Sequence, residues 1–100
     1  MKKIYFGDFH LYVLEHIKEI ESADIESYTT KWFLVRYLRK ITNMTIEGNL
    51  EHTRIEGPMR SLIRFYVDNI DEQSDLGERC IKIHNKYRAL LRKKQSSKYN

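Results

Sequence analysis

Residues 57–70, GPMRSLIRFYVDNI, carry the clearest secondary-structure signal in the sequence. Gly57-Pro58 predicts a helix that begins at Pro58, because the N–H that proline lacks has no intrahelical partner at a first helical position. Apolar residues then recur at helical spacing over an arc of more than about 100°, the width of a face that packs on a core. These residues are Met59, Leu62, Ile63, Tyr66, Val67 and Ile70. We therefore expect an amphipathic helix with one buried face.

Two earlier segments show the same period. The first is predicted to begin after Asp8, whose carboxylate is a good N-cap. Its buried face is predicted to consist of Phe9, Val13, Ile17 and Ile20. The second is predicted to begin between Ser27 and Thr30 and to end at about Thr42, before Asn43. Its apolar face is predicted to consist of Phe33, Leu34, Tyr37, Leu38 and Ile41.

A fourth helix is predicted near the end of the chain. It begins near Ser74 or Asp75 and ends in the basic run Arg92-Lys93-Lys94, because positive charge is favoured at a helix C-terminus. Its apolar face is predicted to consist of Leu76, Cys80, Ile83, Tyr87, Leu90 and Leu91.

Residues 43–56 lack a helical period. Gly48-Asn49 can form a two-residue turn between short strands at residues 44–47 and 50–54, because glycine suits the first central position of a type II′ turn. A two-stranded hairpin is only marginally stable by itself in water. A short β-hairpin and an ordered loop therefore both fit this segment.

Few helix breakers interrupt the chain, which has one proline and four glycines in 100 residues. Helices of about 15 residues are marginal alone in water, so they must pack on one another. We therefore predict an all-α fold, a compact bundle of three to four helices, with or without one short β-hairpin around residues 44–54. A single helical domain is predicted to cover residues 1–94, and residues 95–100 are predicted to be a frayed basic tail.

The composition argues against disordered, disulfide-stapled and membrane-spanning proteins. Hydrophobic residues make up 41% and charged residues 32% of the chain, which suits a globular domain. Cys80 is the only cysteine, so no internal disulfide can form. The longest apolar runs have four residues, Leu11–Leu14 and Trp32–Val35, far short of the roughly 20 that span a bilayer.

We expect a cytoplasmic protein without a membrane partner. Asp8 and His10 interrupt the apolar stretch after the basic Met1-Lys2-Lys3, so these residues do not resemble a signal peptide. Eleven isoleucines against two alanines are typical of an AT-rich genome, which favours a low-GC bacterium, its phages or plasmids, or an archaeal virus. For a viral protein, the expected location is the host cytoplasm.

The sequence contains no recognisable catalytic or cofactor motif, so we expect neither enzymatic activity nor a cofactor. It has no nucleophile elbow, no glycine-rich phosphate loop and no HExxH zinc motif. Cys80 and His84 are spaced to share one helix face and can reach one ion, but two ligands do not make a zinc site. Cys80 is predicted to be a small core residue instead, and no metal is expected.

Basic residues concentrate at the end of the chain. Residues 79–100 hold eight basic residues and no acidic one. On a helical wheel, four of them form a stripe beside the apolar face of the fourth helix: Arg79, Lys82, Lys86 and Lys93. Such a stripe can follow a phosphate backbone and release its counterions. The alternatives are a solvated flank, or pairing with the acidic face of the first helix within the chain or across a dimer.

The second helix carries a more specific signal. Trp32, Arg36, Arg39 and Lys40 share one arc, opposite the predicted core face. A tryptophan among arginines can stack on a base or anchor a protein interface, since both residue types are enriched in binding hot spots. The alternatives are a local cation–π contact between Trp32 and Arg36, or burial of Trp32 under another helix.

Three functions fit these patterns. The first is a small accessory or regulatory protein that binds nucleic acid through the basic faces of helices two and four. The second is a protein-binding adaptor or inhibitor, of the kind that phages and mobile elements encode to act on a host protein complex. The third is a structural subunit that assembles through its acidic and basic ends. A homodimer is expected, since extra buried area helps so short a chain.

Overall fold

Four helices and two short strands make up the described part of this computed structural model, which covers the backbone of residues 3–98 and the side chains of residues 3–92. In chain order the elements are β1 (Lys3–Tyr5), α1 (Gly7–Glu21), α2 (Thr30–Thr45), β2 (Asn49–Glu51), α3 (His52–Asn69) and α4 (Asp75–Lys98). The predicted all-α bundle with one short two-stranded antiparallel element is confirmed.

The core lies where one face of each helix meets the others. All four residues predicted to face the core from α1 are buried, and so are Leu34, Leu38 and Ile41 of α2. On α4 the buried residues include Cys80, Ile83 and Tyr87. Of the other predicted core residues, Phe33 is 37% and Val67 is 69% exposed, and several, such as Tyr37 and Ile63, are only partly buried. The apolar arcs read from the sequence were therefore wider than the faces that the bundle covers.

The start of α1 differs from the prediction. The helix begins at Gly7 with Phe6 at its N-cap, and Asp8 lies in the first turn instead of capping it. Phe6 is fully buried, and its amide donates a 2.7 Å hydrogen bond to the carbonyl of Gly48. The prediction of Asp8 as the cap is wrong because this tertiary contact places the chain at residue 6. The carboxylate of Asp8 still lies where the helix dipole favours a negative charge.

The start of α3 is also earlier than predicted. The helix begins at His52, so Pro58 lies inside it and the prediction of a start at Pro58 is wrong. Ile55 is fully buried and anchors the turns that precede the proline. A residue before proline usually avoids helical geometry, because its Cβ meets the proline ring. Gly57 has no Cβ and has open space around it, so the helix can continue through this pair.

The strand at Asn49–Glu51 lies within the predicted hairpin region, but it pairs with β1, with Ile4 opposite Leu50. The expected partner, residues 44–47, is not a strand, because α2 runs past Asn43 to Thr45. Thr45 is 1% exposed, and its hydroxyl donates a 3.0 Å hydrogen bond to the carbonyl of Ile41. Burial of Thr45 favours a helical last turn of α2, and the bond satisfies its hydroxyl inside the core. Only the predicted pairing is wrong; the fold class is unaffected.

Helix α4 ends later than predicted. Its backbone is helical to Lys98, beyond the end predicted at Lys94. Residues 99–100 and the side chains of residues 93–98 lie outside the described part of the chain. The division into a domain and a frayed tail at residues 95–100 stays a prediction. None of the helices among the described residues combines the length and the apolar character needed to cross a membrane.

Candidate binding surface

Helix α2 presents a cationic surface. The helix begins after Thr29, whose hydroxyl accepts a 3.3 Å hydrogen bond from the amide of Trp32 and satisfies one of the first N–H groups. Its sequence, Thr30–Thr45, contains four basic residues and no acidic one. Leu34, Leu38 and Ile41 occupy the core side, and three of the four basic residues, Arg36, Arg39 and Lys40, are exposed on the opposite side.

A continuous row of aromatic rings lies beside these cations. We call it the aromatic row; it consists of Tyr28, Trp32, Phe33, Phe65 and Tyr37. Ring centroids along the row are 4.7 Å (Tyr28–Trp32), 4.9 Å (Trp32–Phe33), 6.4 Å (Phe33–Phe65) and 4.8 Å (Phe65–Tyr37) apart. Phe65 belongs to α3, so the row bridges two helices. Aromatic pairs at these separations attract each other and hold their relative orientation.

Tyr28 marks the outer end of the aromatic row. It has a positive φ of 65°, a backbone conformation that costs a non-glycine residue about 1–2 kcal/mol. Its side chain is 76% exposed, and its ring lies against Trp32. Backbone strain at an exposed aromatic residue is a reason to suspect a functional site. The strain here directs a ring toward solvent at the start of α2.

The predicted arc of Trp32, Arg36, Arg39 and Lys40 is only partly assembled. The guanidinium carbon of Arg36 lies 4.9 Å from the ring centroid of Trp32, so the predicted local cation–π contact is present. Trp32 is only partly buried, and Arg36 and Lys40 are exposed. Arg39 instead forms an ion pair with Glu21 of α1. Arg36 and Lys40 remain beside the aromatic row.

A shallow groove runs along this face. Its volume is about 460 Å³, and it is lined by Phe33, Arg36, Tyr37, Arg39, Lys40 and Asn43. Apolar rings form one side and basic groups the other. The arrangement suits a ligand that is both flat and negatively charged, since rings offer stacking surfaces and cations offer charge-assisted hydrogen bonds.

The basic stripe predicted on α4 is largely engaged within the molecule. Arg79 donates hydrogen bonds to the carboxylates of Glu19 and Asp75, and its side chain is 18% exposed. The hydrogen bond from Arg79 lowers the pKa of Glu19, and the same bond raises the pKa of Arg79. The alternative of pairing with the acidic face of α1 within the chain therefore holds for Arg79.

The other residues of the stripe have different surroundings. Lys82 pairs with Glu78 of the same helix at 3.1 Å. The Lys86 ammonium lies 5.4 Å from the ring centroid of Tyr12 on α1. The side chain of Lys93 lies outside the described residues. The groove on α2 and the cleft that holds Arg79 and Lys82 share no lining residue, so the two predicted basic faces do not form one site.

Sequence reasoning missed most of the aromatic row. Phe33 and Tyr37 were assigned to the core, and Tyr28 and Phe65 were assigned no role. The sequence of α2 contains one signal for the row. Its predicted apolar arc has two stripes, and Leu34, Leu38 and Ile41 are enough to form a core face. The other stripe, with Phe33 and Tyr37, is therefore not needed for the core. The positive φ of Tyr28 and the position of Phe65 beside Tyr37 depend on tertiary structure and have no such signal.

The remaining reactive groups are buried or engaged. Burial raises the pKa of Cys80 to about 11, and the side chain is 1% exposed. Tyr87 is hydrogen-bonded to Nε2 of His52 at 2.8 Å, and burial raises its pKa to about 12. Burial and the charge of Arg88 lower the pKa of His84. Among the described residues, no three His, Cys, Asp or Glu side chains cluster closely enough to hold a metal ion.

Comparisons of the chain with protein-family models, with curated proteins and with solved structures gave no match. The surface on α2 therefore has to be interpreted from its own geometry.

Proposed function

We propose that this protein is a small, non-catalytic accessory or regulatory protein that binds nucleic acid through the exposed face of α2. The observation that carries the proposal is the aromatic row beside Arg36 and Lys40, on a helix without an acidic residue. Proteins that bind nucleic acid strands combine a basic groove along the backbone with aromatic rings on which bases stack. The formal net charge of +4 favours the same class of ligand.

The two kinds of side chain have separate roles in this proposal. Arg36 and Lys40 neutralise phosphates and release counterions, which provides affinity that falls with salt. The aromatic row contributes stacking, which is worth about 1–3 kcal/mol per base and depends little on salt. Lys82, Lys86 and Lys93 of α4 supply supplementary phosphate contacts. Arg79 is assigned to holding α4 on α1, because its guanidinium already has two carboxylate partners.

A salt titration of binding to DNA and RNA, followed by fluorescence anisotropy, tests the proposal. The double variant Arg36→Ala with Lys40→Ala is expected to weaken binding and to reduce the salt slope by about 1.4 for a single strand, since each phosphate contact contributes roughly 0.7. Lys18→Ala is a control for the loss of one positive charge elsewhere, because Lys18 is an exposed cation on α1 that does not line the groove. Absence of binding at low salt, or equal slopes in the double variant and wild type, would refute the proposal.

A protein partner is the second candidate, in the manner of a phage or mobile-element adaptor or inhibitor that acts on a host protein complex. The observation that favours it is the grouping of Trp32, Tyr28 and Arg36 on one exposed face, since these residue types are enriched in interface hot spots. A host-lysate pull-down with wild-type and Trp32→Ala baits tests it. A protein that wild type retains and the variant loses supports this candidate; identical captures argue against it.

Homodimerisation in the cytoplasm is part of the proposal. The chain has 100 residues, and so small a domain gains stability from area buried between subunits. Sedimentation velocity over a wide concentration range tests this point. A single species of monomer mass at every concentration would show that the protein does not dimerise. That result would not affect the proposed binding surface on α2.

A further inference from the structure

We infer that the nucleic acid is single-stranded and that its unpaired bases stack on the aromatic row. This inference rests on the proposed function and specifies its ligand. Inside a duplex, each base is covered on both faces by neighbouring base pairs, so side-chain rings cannot stack on it. Tyr28 is 76% and Phe33 is 37% exposed. Unpaired bases can stack on exposed rings such as these.

The spread of the aromatic row over two helices argues against docking in a duplex groove. The major groove of DNA is about 12 Å wide and admits one protruding helix, whose polar side chains read base edges. Here Phe65 of α3 lies beside Tyr37 of α2, with ring centroids 4.8 Å apart and planes inclined by 32°. Phe65 also approaches Phe33 at 6.4 Å. The rings are distributed over two helices and inclined to one another by 32–85°, so they offer separate stacking faces, which fit a splayed strand better than a duplex groove.

The cations lie where a single strand needs them. The guanidinium carbon of Arg36 is 4.9 Å from the Trp32 centroid, and Lys40 follows one helical turn later. Both line the groove whose other side is formed by Phe33 and Tyr37. A strand that runs along α2 can therefore direct its bases to the rings while its phosphates contact Arg36 and Lys40. A duplex can offer phosphates to these cations, but it has no uncovered base face for the rings.

The fluorescence of Trp32 reports binding to the aromatic row directly, because Trp32 is the only tryptophan in the chain. We would titrate the protein at low salt with oligothymidylate of about 12 nucleotides, a length within the usual range of site sizes. The comparison ligands are an abasic strand of equal length, which keeps the phosphates, and a blunt-ended duplex without a loop. Oligothymidylate is expected to quench Trp32 fluorescence and to bind about tenfold or more tightly than either comparison ligand.

A variant of the exposed ring separates stacking from charge. Tyr28→Asn removes the ring and keeps a residue type that tolerates a positive φ. It is expected to weaken oligothymidylate binding about tenfold and to leave abasic-strand binding unchanged. Leu11→Ala is the control, because Leu11 is an apolar side chain on α1 that is 59% exposed; it is expected to bind both strands as wild type does.

The outcomes distinguish failure of the inference from failure of the proposed function. If duplex and abasic strand bind as tightly as oligothymidylate, and binding still depends on Arg36 and Lys40, the stacking inference is wrong and the nucleic-acid function stands. If Tyr28→Asn has no effect on oligothymidylate binding, the stacking inference is likewise wrong. If none of the three ligands binds at low salt, the proposed function fails and the inference fails with it.

Discussion

Arg79 of α4 donates a hydrogen bond of 2.7 Å to the carboxylate of Glu19 on α1. The same guanidinium bonds to Nδ1 of His16 at 3.0 Å, and its Nε bonds to Asp75 at 3.0 Å. The Arg79 side chain is 18% exposed, so these bonds are partly shielded from water. Arg79 therefore fastens α4 to α1, although its position in the basic stripe suggested a ligand contact.

Replacing Arg79 is expected to destabilise the fold. Arg79→Ala should lower the free energy of unfolding by about 1–2 kcal/mol, because hydrogen bonds between charged groups contribute more than neutral ones when partly shielded. Urea denaturation followed by circular dichroism measures the change. Lys82→Ala is the control: its ion pair with Glu78 is exposed and spaced i,i+4, so a loss within about 0.5 kcal/mol is expected. Equal losses in the two variants would contradict the role assigned to Arg79.

Acid is expected to weaken the fold in two steps. Burial, and then the charge of Arg79, lowers the pKa of His16 below its usual 6.5, so the unfolded chain takes up that proton more readily than the folded one. The stability linked to His16 is therefore present above about pH 6.5 and is lost as the pH falls through the lower, folded-state pKa. The hydrogen bond from Arg79 lowers the pKa of Glu19 below 4.5, so a second loss follows at lower pH.

Unfolding by urea at about pH 7.5, 6.5 and 5.5 tests the first step. His16→Gln keeps an acceptor for Arg79 but cannot take up a proton, so its stability should fall less over this range than that of wild type. Some loss should persist, because burial also lowers the pKa of His84. Glu15 and Lys82 line the same cleft and are present in both proteins. An identical pH dependence in the two proteins would exclude His16 as the titrating group.

The first turns of α3 are expected to depend on Ile55. Ile55→Ala should lower the free energy of unfolding by about 2–5 kcal/mol, because it removes a fully buried side chain and leaves a cavity. Val67→Ala on the same helix is the matched control, since Val67 is 69% exposed, and a change within about 0.5 kcal/mol is expected. Thermal unfolding of both variants measures the difference. A loss as small as that of the control would contradict the burial of Ile55.

The thiol of Cys80 is expected to resist alkylation in the native protein. It is 1% exposed, and burial raises its pKa to about 11, so little reactive thiolate is present near neutral pH. Mass spectrometry after iodoacetamide treatment should find slow labelling in buffer and rapid labelling in concentrated urea. Rapid labelling of the native protein would mean that α4 opens readily from the core.

Local pattern was sufficient to identify the four helices and the centre of each core face. Phe9, Val13, Ile17 and Ile20 were assigned to the core from spacing alone, and all four are buried. Trp32, Arg36 and Lys40 were placed on the face of α2 opposite its core residues, and the structure places them on that side. These inferences succeed because a helix fixes the direction of each side chain relative to its neighbours three and four residues away.

Contacts between residues far apart in the sequence determined where α3 begins, how the strands pair and which helix faces meet. Burial of Ile55 outweighs the local signal of Gly57-Pro58 for a helix start, and burial of Thr45 outweighs the local signal for a hairpin strand. Arg79 and Glu19 meet across two helices, and Phe65 joins the aromatic row from α3. Helical spacing specifies which residues share a face, but it cannot specify which faces meet. That choice depends on the packing of the whole bundle, where core burial of a side chain outweighs the propensity of a single turn.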